Sequence, residues 1–328
     1  MNPKYEDKVF LADQQGFEPL ALELFRFQYA NNPVYHQYVN AVNVVGDDVR
    51  RVQDIPFLPI QFFKSHDVVT TSFEPEAVFQ SSGTTQTINS RHYVRHLGIY
   101  RESFMLAFEQ FYGPVKNLCV IGLLPSYLER SNSSLVVMAD ELIRQSGHPE
   151  SGFYLYEHEK LAAVLQQLEA RQQPTLLIGV TFGLLDFAEK FPMPLKHTIV
   201  METGGMKGRR EEMTREQVHA ILKNAFGLTH IHSEYGMTEL LSQGYSKGEG
   251  IFDTPAWMRV MVRQEDDPFD VRHSGTGIIN VIDLANIYSC AFIATEDVGR
   301  VFENGQFEVQ GRMDNSDIRG CSLMVAGL

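Results

Sequence analysis

Leu20, Leu22, Leu24 and Phe25 fall at helix-compatible spacing over residues 18–30, and Asn31-Asn32-Pro33 then reads as a stop. Leu97, Tyr100, Phe104, Phe108 and Phe111 recur every three or four positions, so the spacing predicts a long amphipathic helix over 92–112, ended by Gly113-Pro114. Beyond it, apolar runs of strand length at 118–124, 153–156, 175–180 and 198–201 alternate with helical stretches at 135–145, 160–170 and 184–189. A further helix at 215–226 leads into a short strand at 230–233. Alternation of this kind is what βαβ units produce, and it predicts a mostly parallel sheet with helices packed on it.

After Trp257 the pattern changes. Residues 258–262, 277–282, 291–294, 300–302 and 307–309 are strand-like, and turns such as Glu303-Asn304-Gly305 join them. The expected fold class is therefore α/β, with a large α/β core over 1–255 and a β-rich subdomain with a short C-terminal tail over 256–328. Gly275-Thr276-Gly277 and the acidic stretch at 264–270 read as loops, and no internal repeat or low-complexity segment interrupts the chain.

Composition narrows the partners. The 328 residues, 44% of them hydrophobic, suffice for a large core. A formal charge of -13 argues against a nucleic-acid partner, because such affinity rests on neutralising phosphates with a basic surface. The first seventeen residues mix Lys4, Glu6, Asp7 and Asp13 with few apolar side chains, so no secretory segment is read there. No later run reaches the length of a membrane span, and a cytoplasmic protein is expected. Cys119, Cys290 and Cys321 are too few and too scattered for a disulfide framework or a zinc cluster, and are read as free thiols.

Chemistry-bearing residues gather in a few segments. In Ser81-Ser82-Gly83-Thr84-Thr85, a glycine flanked by hydroxyls lets backbone N–H groups and side chains converge on phosphate oxygens, although the same run also reads as a solvated loop. It lacks the spacing and lysine of a Walker A loop. Ser233-Glu234-Tyr235-Gly236-Met237-Thr238-Glu239 follows an expected strand and offers an aromatic face, a hydroxyl and a carboxylate for a base, a phosphate and Mg²⁺. The alternative is a core tyrosine followed by a glutamate that starts a helix. Asp297, expected between two short strands, suits either a ribose or a turn, and Arg312 suits either a sugar contact or a solvated strand end. His92 and His96 would share one helical turn, but without the glutamate of a zinc motif they read as packing residues. His232-Ser233-Glu234 lacks the cysteine partner of a deaminase signature, so His232 stands only as a general-base candidate beside Tyr235.

Ser-Ser-Gly-Thr-Thr, Tyr-Gly-Met-Thr-Glu, Glu-Asp-Val-Gly-Arg and Gly-Arg-Met-Asp, in that order, resemble the adenylate-forming acyl and aryl ligase superfamily. The resemblance implies that Ser82, Thr84 and Thr85, with Ser81 and Gly83 in the same loop, line the ATP phosphates. It implies that Tyr235 stacks on adenine next to Gly236, that Thr238 meets the α-phosphate, that Glu239 binds Mg²⁺, and that Asp297 and Arg312 hold the ribose. Glu202-Thr203-Gly204-Gly205-Met206-Lys207-Gly208 is similar to a glycine-rich segment of the phenylacetate-CoA ligase branch, which would bring Gly204 and Gly205 to the adenine and acyl pockets and leave Lys207 as a catalytic candidate. That segment, Phe57-Leu58-Pro59-Ile60-Gln61-Phe62-Phe63-Lys64-Ser65 and Arg319-Gly320-Cys321 further resemble the LuxE-type acyl-protein synthetase family of bacterial bioluminescence, over most of the chain. In that family a cysteine near the C-terminus takes the acyl group from the adenylate, and Cys321 is the matching position. A thiolate is a strong nucleophile toward a mixed anhydride, and Arg319 favours its ionisation.

One departure bears on mechanism. The larger ligases end in a mobile lid that supplies a lysine, whereas here no lysine follows Lys247, so the lid is expected to be absent or vestigial. Lys64, Arg95, Lys207 and Arg209 are the candidate cations for the pyrophosphate. The expected activity is ATP- and Mg²⁺-dependent conversion of a carboxylic acid, fatty by resemblance, to acyl-AMP. Transfer to a thiol follows, that of Cys321 and then of a reductase or carrier protein. A truncated acyl- or aryl-CoA ligase, with CoA as acceptor, and a non-catalytic nucleotide-binding partner of a complex are the alternatives. Phe182, Leu184, Met206 and Met237 are apolar candidates for the acyl pocket.

Overall fold

The computed structural model describes residues 5–81, 88–124, 132–204 and 213–313. Its N-terminal helices α1 (Tyr5–Val9), α2 (Phe17–Asn31) and α3 (Pro33–Ala41) precede two strands, the short β1 (Leu58–Pro59) and, after α4 (Phe62–Ser65), β2 (Ala77–Gln80). The helix expected over 18–30 is α2, but Asn32-Pro33 restarts the chain rather than ending it. The Asn32 side chain accepts the Tyr35 N–H at 3.0 Å as an N-cap, and proline at the first helical position needs no donor.

β2 pairs antiparallel with β3 (Arg91–Val94), which precedes α5 (Leu97–Tyr112). Residues 92–94, expected to begin that helix, are therefore strand, and His92 and His96 do not share a helical turn. Alternating burial through Arg91, His92, Tyr93 and Val94, with His92 and Val94 facing inward, is the period of a strand.

The α/β segment follows as β4 (Cys119–Leu123), α6 (Ser134–Ser146), β5 (Gly152–Phe153), α7 (His158–Ala170), β6 (Thr175–Gly179), α8 (Thr181–Lys190), β7 (Thr198–Glu202), α9 (Arg215–Phe226) and β8 (His232–Tyr235). Strands β5, β4, β6, β7 and β8 lie side by side and all pair in parallel, as the alternation predicted. Their side chains alternate between two faces. Val120, Leu176, Ile178 and Met201 pack with Phe104, Phe108, Met138 and Leu142 of α5 and α6, whereas Ile121, Leu177 and Val200 pack with Leu165, Phe187 and Leu222 of α7, α8 and α9.

Next come β9 (Gly244–Ser246), β10 (Ile251–Asp253), β11 (Met258–Arg263), β12 (Val271–Arg272), β13 (Gly275–Asp283), β14 (Phe292–Val301) and β15 (Phe307–Arg312). They extend the same sheet in the order β12-β11-β13-β14-β15-β10-β9-β8-β7-β6-β4-β5, with β1 attached in parallel to β14. The two short strands expected at 291–294 and 300–302 are one ten-residue strand. A register shift between Ile278 and Asn280 of β13, where residues 295–297 of β14 stand opposite Ile279 alone, absorbs the polar Thr-Glu-Asp stretch without breaking the ladder. A Cβ on Gly299 would lie 2.2 Å from the Glu308 carbonyl oxygen, so the close approach needs glycine. No described helix is long and apolar enough to cross a membrane.

Candidate active site

Parallel strands deliver their C-terminal residues to one edge of the sheet, where α/β proteins place ligands. Here that edge carries Glu202 at the end of β7 and Tyr235 at the end of β8. Tyr235 is buried, and its hydroxyl donates to Asp297 Oδ2 at 2.9 Å. Arg312 Nε donates to Asp297 Oδ1 at 3.2 Å across the β14–β15 pair, in which Asp297 and Arg312 are register partners. Three residues widely separated in sequence thus form one hydrogen-bonded unit. The Tyr235 ring lies edge-on to Phe307 at 5.2 Å. Tyr235 is thus both a core aromatic and part of the candidate site.

Gly236 is exposed, and a Cβ there would displace the carboxylate end of Glu234. Glu239 lies in a turn rather than at a helix start and is 6% exposed. Burial pushes its pKa up, against the opposing pull of the neighbouring Ser90 hydroxyl, its own backbone N–H, Arg312 and Lys64. The Ser90 hydroxyl faces that carboxyl without closing a hydrogen bond of full geometry and has no other partner. Ser90 also pairs with Ser81: its N–H donates to Ser81 Oγ at 3.0 Å and its carbonyl accepts the Ser81 N–H at 3.2 Å. Ser81, the described end of the hydroxyl-rich loop, is thereby tied to the residue that faces Glu239. Ser82, Gly83, Thr84, Thr85, Gly205, Met206, Lys207, Arg209 and Cys321 lie outside the described residues.

The carbonyls of Thr238 and Glu239 are held by side chains. His92 Nδ1 lies 2.8 Å from Thr238 O, His92 Nε2 lies 2.9 Å from Asn286 Oδ1, and Asn286 Nδ2 donates to Glu239 O at 2.7 Å. Burial pushes the His92 ring down to about 4 in spite of those contacts, so it is neutral at pH 7. Sequence reasoning gave His92 only a packing role and passed over Ser90 and Asn286. The available signal was polar residues interrupting otherwise apolar strand-like runs.

Gly204 adopts φ +73° just beyond β7, a conformation that favours glycine. Its N–H donates to Glu202 Oε2 at 2.7 Å, and Thr181 Oγ1 donates to the same atom at 3.2 Å. Arg215 Nε at 3.4 Å and His219 Nε2 at 3.6 Å face Glu202 Oε1. Burial alone would raise the Glu202 pKa, but His219, Arg215, the Ser233 hydroxyl and the Gly204 N–H outweigh it and bring the group down to about 2. This carboxylate fixes the start of the glycine-rich segment.

Other expected residues fall elsewhere. His232 lies on the opposite face of β8 from Tyr235, because three positions along a strand reverse the side. It meets the Tyr112 hydroxyl at 3.2 Å, so it is not beside Tyr235 as a base. Arg95 stacks on Tyr288 at 4.4 Å, whereas Lys64, on α4, is close enough to act on Glu239. Leu184 is fully buried behind β6, and Phe182 packs with Leu124, Ala139 and Val180.

The fold is that of adenylate-forming ligase cores. It matches ATP-bound MatB from Rhodopseudomonas palustris with a TM-score of 0.53 and 17% identity over 72% of this chain and 48% of that one, about half its length. It matches 2-hydroxyisobutyryl-CoA ligase in its postadenylation state with a TM-score of 0.61 and 12% identity, over 90% of this chain and 67% of that one. The family follows from the sequence: the model of the acyl-protein synthetase, LuxE, family matches residues 11–327, and the chain belongs to that family. Long-chain-fatty-acid–luciferin-component ligases of Vibrio harveyi and Aliivibrio fischeri are each 21% identical to it, over 92% and 98% of this chain and 85% and 93% of theirs.

Proposed function

We propose that the chain is an AMP-forming acid–thiol ligase that activates a fatty acid with ATP and passes the acyl group to a thiol, first that of Cys321 and then that of a reductase or carrier protein in the cytoplasm. The observation that carries the reading is the union of Tyr235, Asp297 and Arg312 beside Glu239, in a member of the acyl-protein synthetase family. Tyr235 and Gly236 would border adenine, and Asp297 with Arg312 would hold the ribose hydroxyls. Ser81 to Thr85 and Thr238 would take the phosphates, and Gly204 and Gly205 would border the base and acyl pockets. Lys207 and Lys64 are the cations assigned to pyrophosphate.

A carboxylate oxygen of the substrate attacks the α-phosphorus, the bond from that phosphorus to the bridging oxygen breaks, and pyrophosphate leaves. The Cys321 thiolate then attacks the acyl carbonyl, AMP leaves, and a thioester remains. Glu239 fits Mg²⁺, since it is a nearly buried carboxylate without an ion pair among the described residues, next to an unpartnered hydroxyl. Bound there, the metal would neutralise charge on the leaving pyrophosphate. Burial pushes the Cys119 and Cys290 thiols up to about 11 and about 12, which makes both poor nucleophiles and favours Cys321 as acceptor.

ATP–pyrophosphate exchange against a graded panel of acids, combined with intact-protein mass spectrometry, tests this. Cys321→Ser should retain exchange and lose the acyl adduct. Absence of exchange with every aliphatic and aromatic acid sinks the enzyme reading, and CoA thioester formation without acyl-protein replaces it with an acyl-CoA ligase.

A further inference from the structure

The carbonyl oxygens of Thr238 and Glu239 project away from any regular ladder, since both residues sit in the turn after β8. Buried carbonyls without partners are costly, and two distant segments supply them. His92, 1% exposed, comes from β3, just beyond the hydroxyl-rich loop, and reaches Thr238 O. A carbonyl only accepts, so Nδ1 carries the ring proton, and Nε2, bare in the neutral ring, meets the Asn286 Oδ1 acceptor without a hydrogen bond. Asn286, fully buried, comes from the turn between β13 and β14, donates to Glu239 O, and touches the far edge of the His92 ring.

Neither side chain can drift. Phe63 stands edge-on to the imidazole at 5.9 Å, and the fully buried Gln28 of α2 donates to the Asn286 carbonyl at 2.8 Å and the Ile287 carbonyl at 3.0 Å. Asp283 accepts from the Leu241 and Ser242 N–H groups at 2.7 and 3.1 Å, closing the other end of the same loop.

We propose that His92 and Asn286 are positioning residues for the adenylation step: a two-pronged clamp that grips the Thr238 and Glu239 carbonyls and fixes their side chains relative to the paired Ser81 and Ser90. The inference rests on the assignment of Thr238 and Glu239 to the α-phosphate and the metal. The hydroxyl-rich loop and the Thr238–Glu239 turn belong to segments far apart in sequence, yet both must address one triphosphate. His92 joins them through one hydrogen bond, and Asn286 independently holds the adjoining Glu239 carbonyl. Residues that orient groups in this way cost ten- to a hundred-fold when removed.

Two measurements on the full chain test the clamp. In ATP–pyrophosphate exchange, Asn286→Ala and His92→Phe should each lower kcat about ten- to a hundred-fold while the KM for ATP changes less than about threefold, because the loss falls on the transition state. His92→Asn, which keeps an N–H donor, should recover part of the rate, and Tyr93→Phe, on the opposite face of β3, should match wild type. In hydrogen exchange, amides of residues 236–242 should lose protection in both clamp variants while those of β6 and β7 keep theirs. Unchanged protection at 236–242, a kcat within twofold of wild type, or protection lost uniformly through the sheet would each overturn the proposal. Should wild type fail to exchange pyrophosphate while the local loss of protection appears, the clamp stands and the assigned reaction falls.

Discussion

Glu234 shows how one residue couples burial to pH. It pairs across the ladder with Tyr245, on the face of β8 away from Tyr235. Burial and the Glu202 charge push its carboxyl up to about 8. An unfolded glutamate titrates near about 4.3, so the folded state holds the extra proton between those values. Stability from this group is therefore greatest in acid and falls as pH rises from about 4.3 through about 8. Glu234→Gln, neutral throughout, should leave the melting temperature unchanged near pH 4 and raise it above pH 8, as a series of thermal melts would show. A Glu234→Gln curve parallel to wild type at every pH would refute this account. Glu202 has the opposite sign: its depressed pKa, about 2, adds stability above about 4.3 that is lost as pH falls through about 2.

Among the elements, the connection between α2 and α3 concentrates polar work in one side chain. Asn32 caps α3, and its amide donates to Thr70 Oγ1 at 3.2 Å and to the Ser289 carbonyl at 3.1 Å. Asn32→Ala removes a cap and strands buried acceptors, so urea denaturation should show a loss of about 2 kcal/mol. A loss below about 0.5 kcal/mol would mean that water replaces the amide. The sequence carried half of this element. Leu20, Leu24 and Phe25 revealed α2, whereas Asn32-Pro33 has the same composition whether it ends one helix or begins the next, and packing against the 286–291 turn settles the choice. Likewise Asp297 carries turn-like neighbours, yet its pairing with Arg312 of β15 keeps it in the ladder.

At the scale of the whole molecule, the sheet joins the helical region to the β-rich one without a break, because β9 and β10 connect β8 to β15 and β1 crosses over to β14. Such a sheet should unfold as a unit. Trp257, the single tryptophan, is 4% exposed and lies in the β-rich part, whereas far-UV circular dichroism follows chiefly the helices of the other part. Urea transitions read by the two signals should coincide, and separate midpoints would divide the chain into independent units near residue 255.

Local periodicity was enough to determine the βαβ alternation and the strands after Trp257, because side-chain spacing reflects helix and strand geometry directly, whereas the four ordered motifs were legible only as residue types resembling a family, and β9 and β10 were not foreseen. Periodicity could not determine which strands become neighbours. Tyr235, Asp297 and Arg312 meet only because β15 pairs with β14 on one side and β10 on the other, and Glu239 is sequestered only where Ser90, Arg312 and Lys64 converge from distant segments. Pairing of that range depends on packing over the whole chain rather than on neighbours in sequence. Tertiary structure therefore turned His92 from a packing histidine into a donor to the loop that begins at Tyr235.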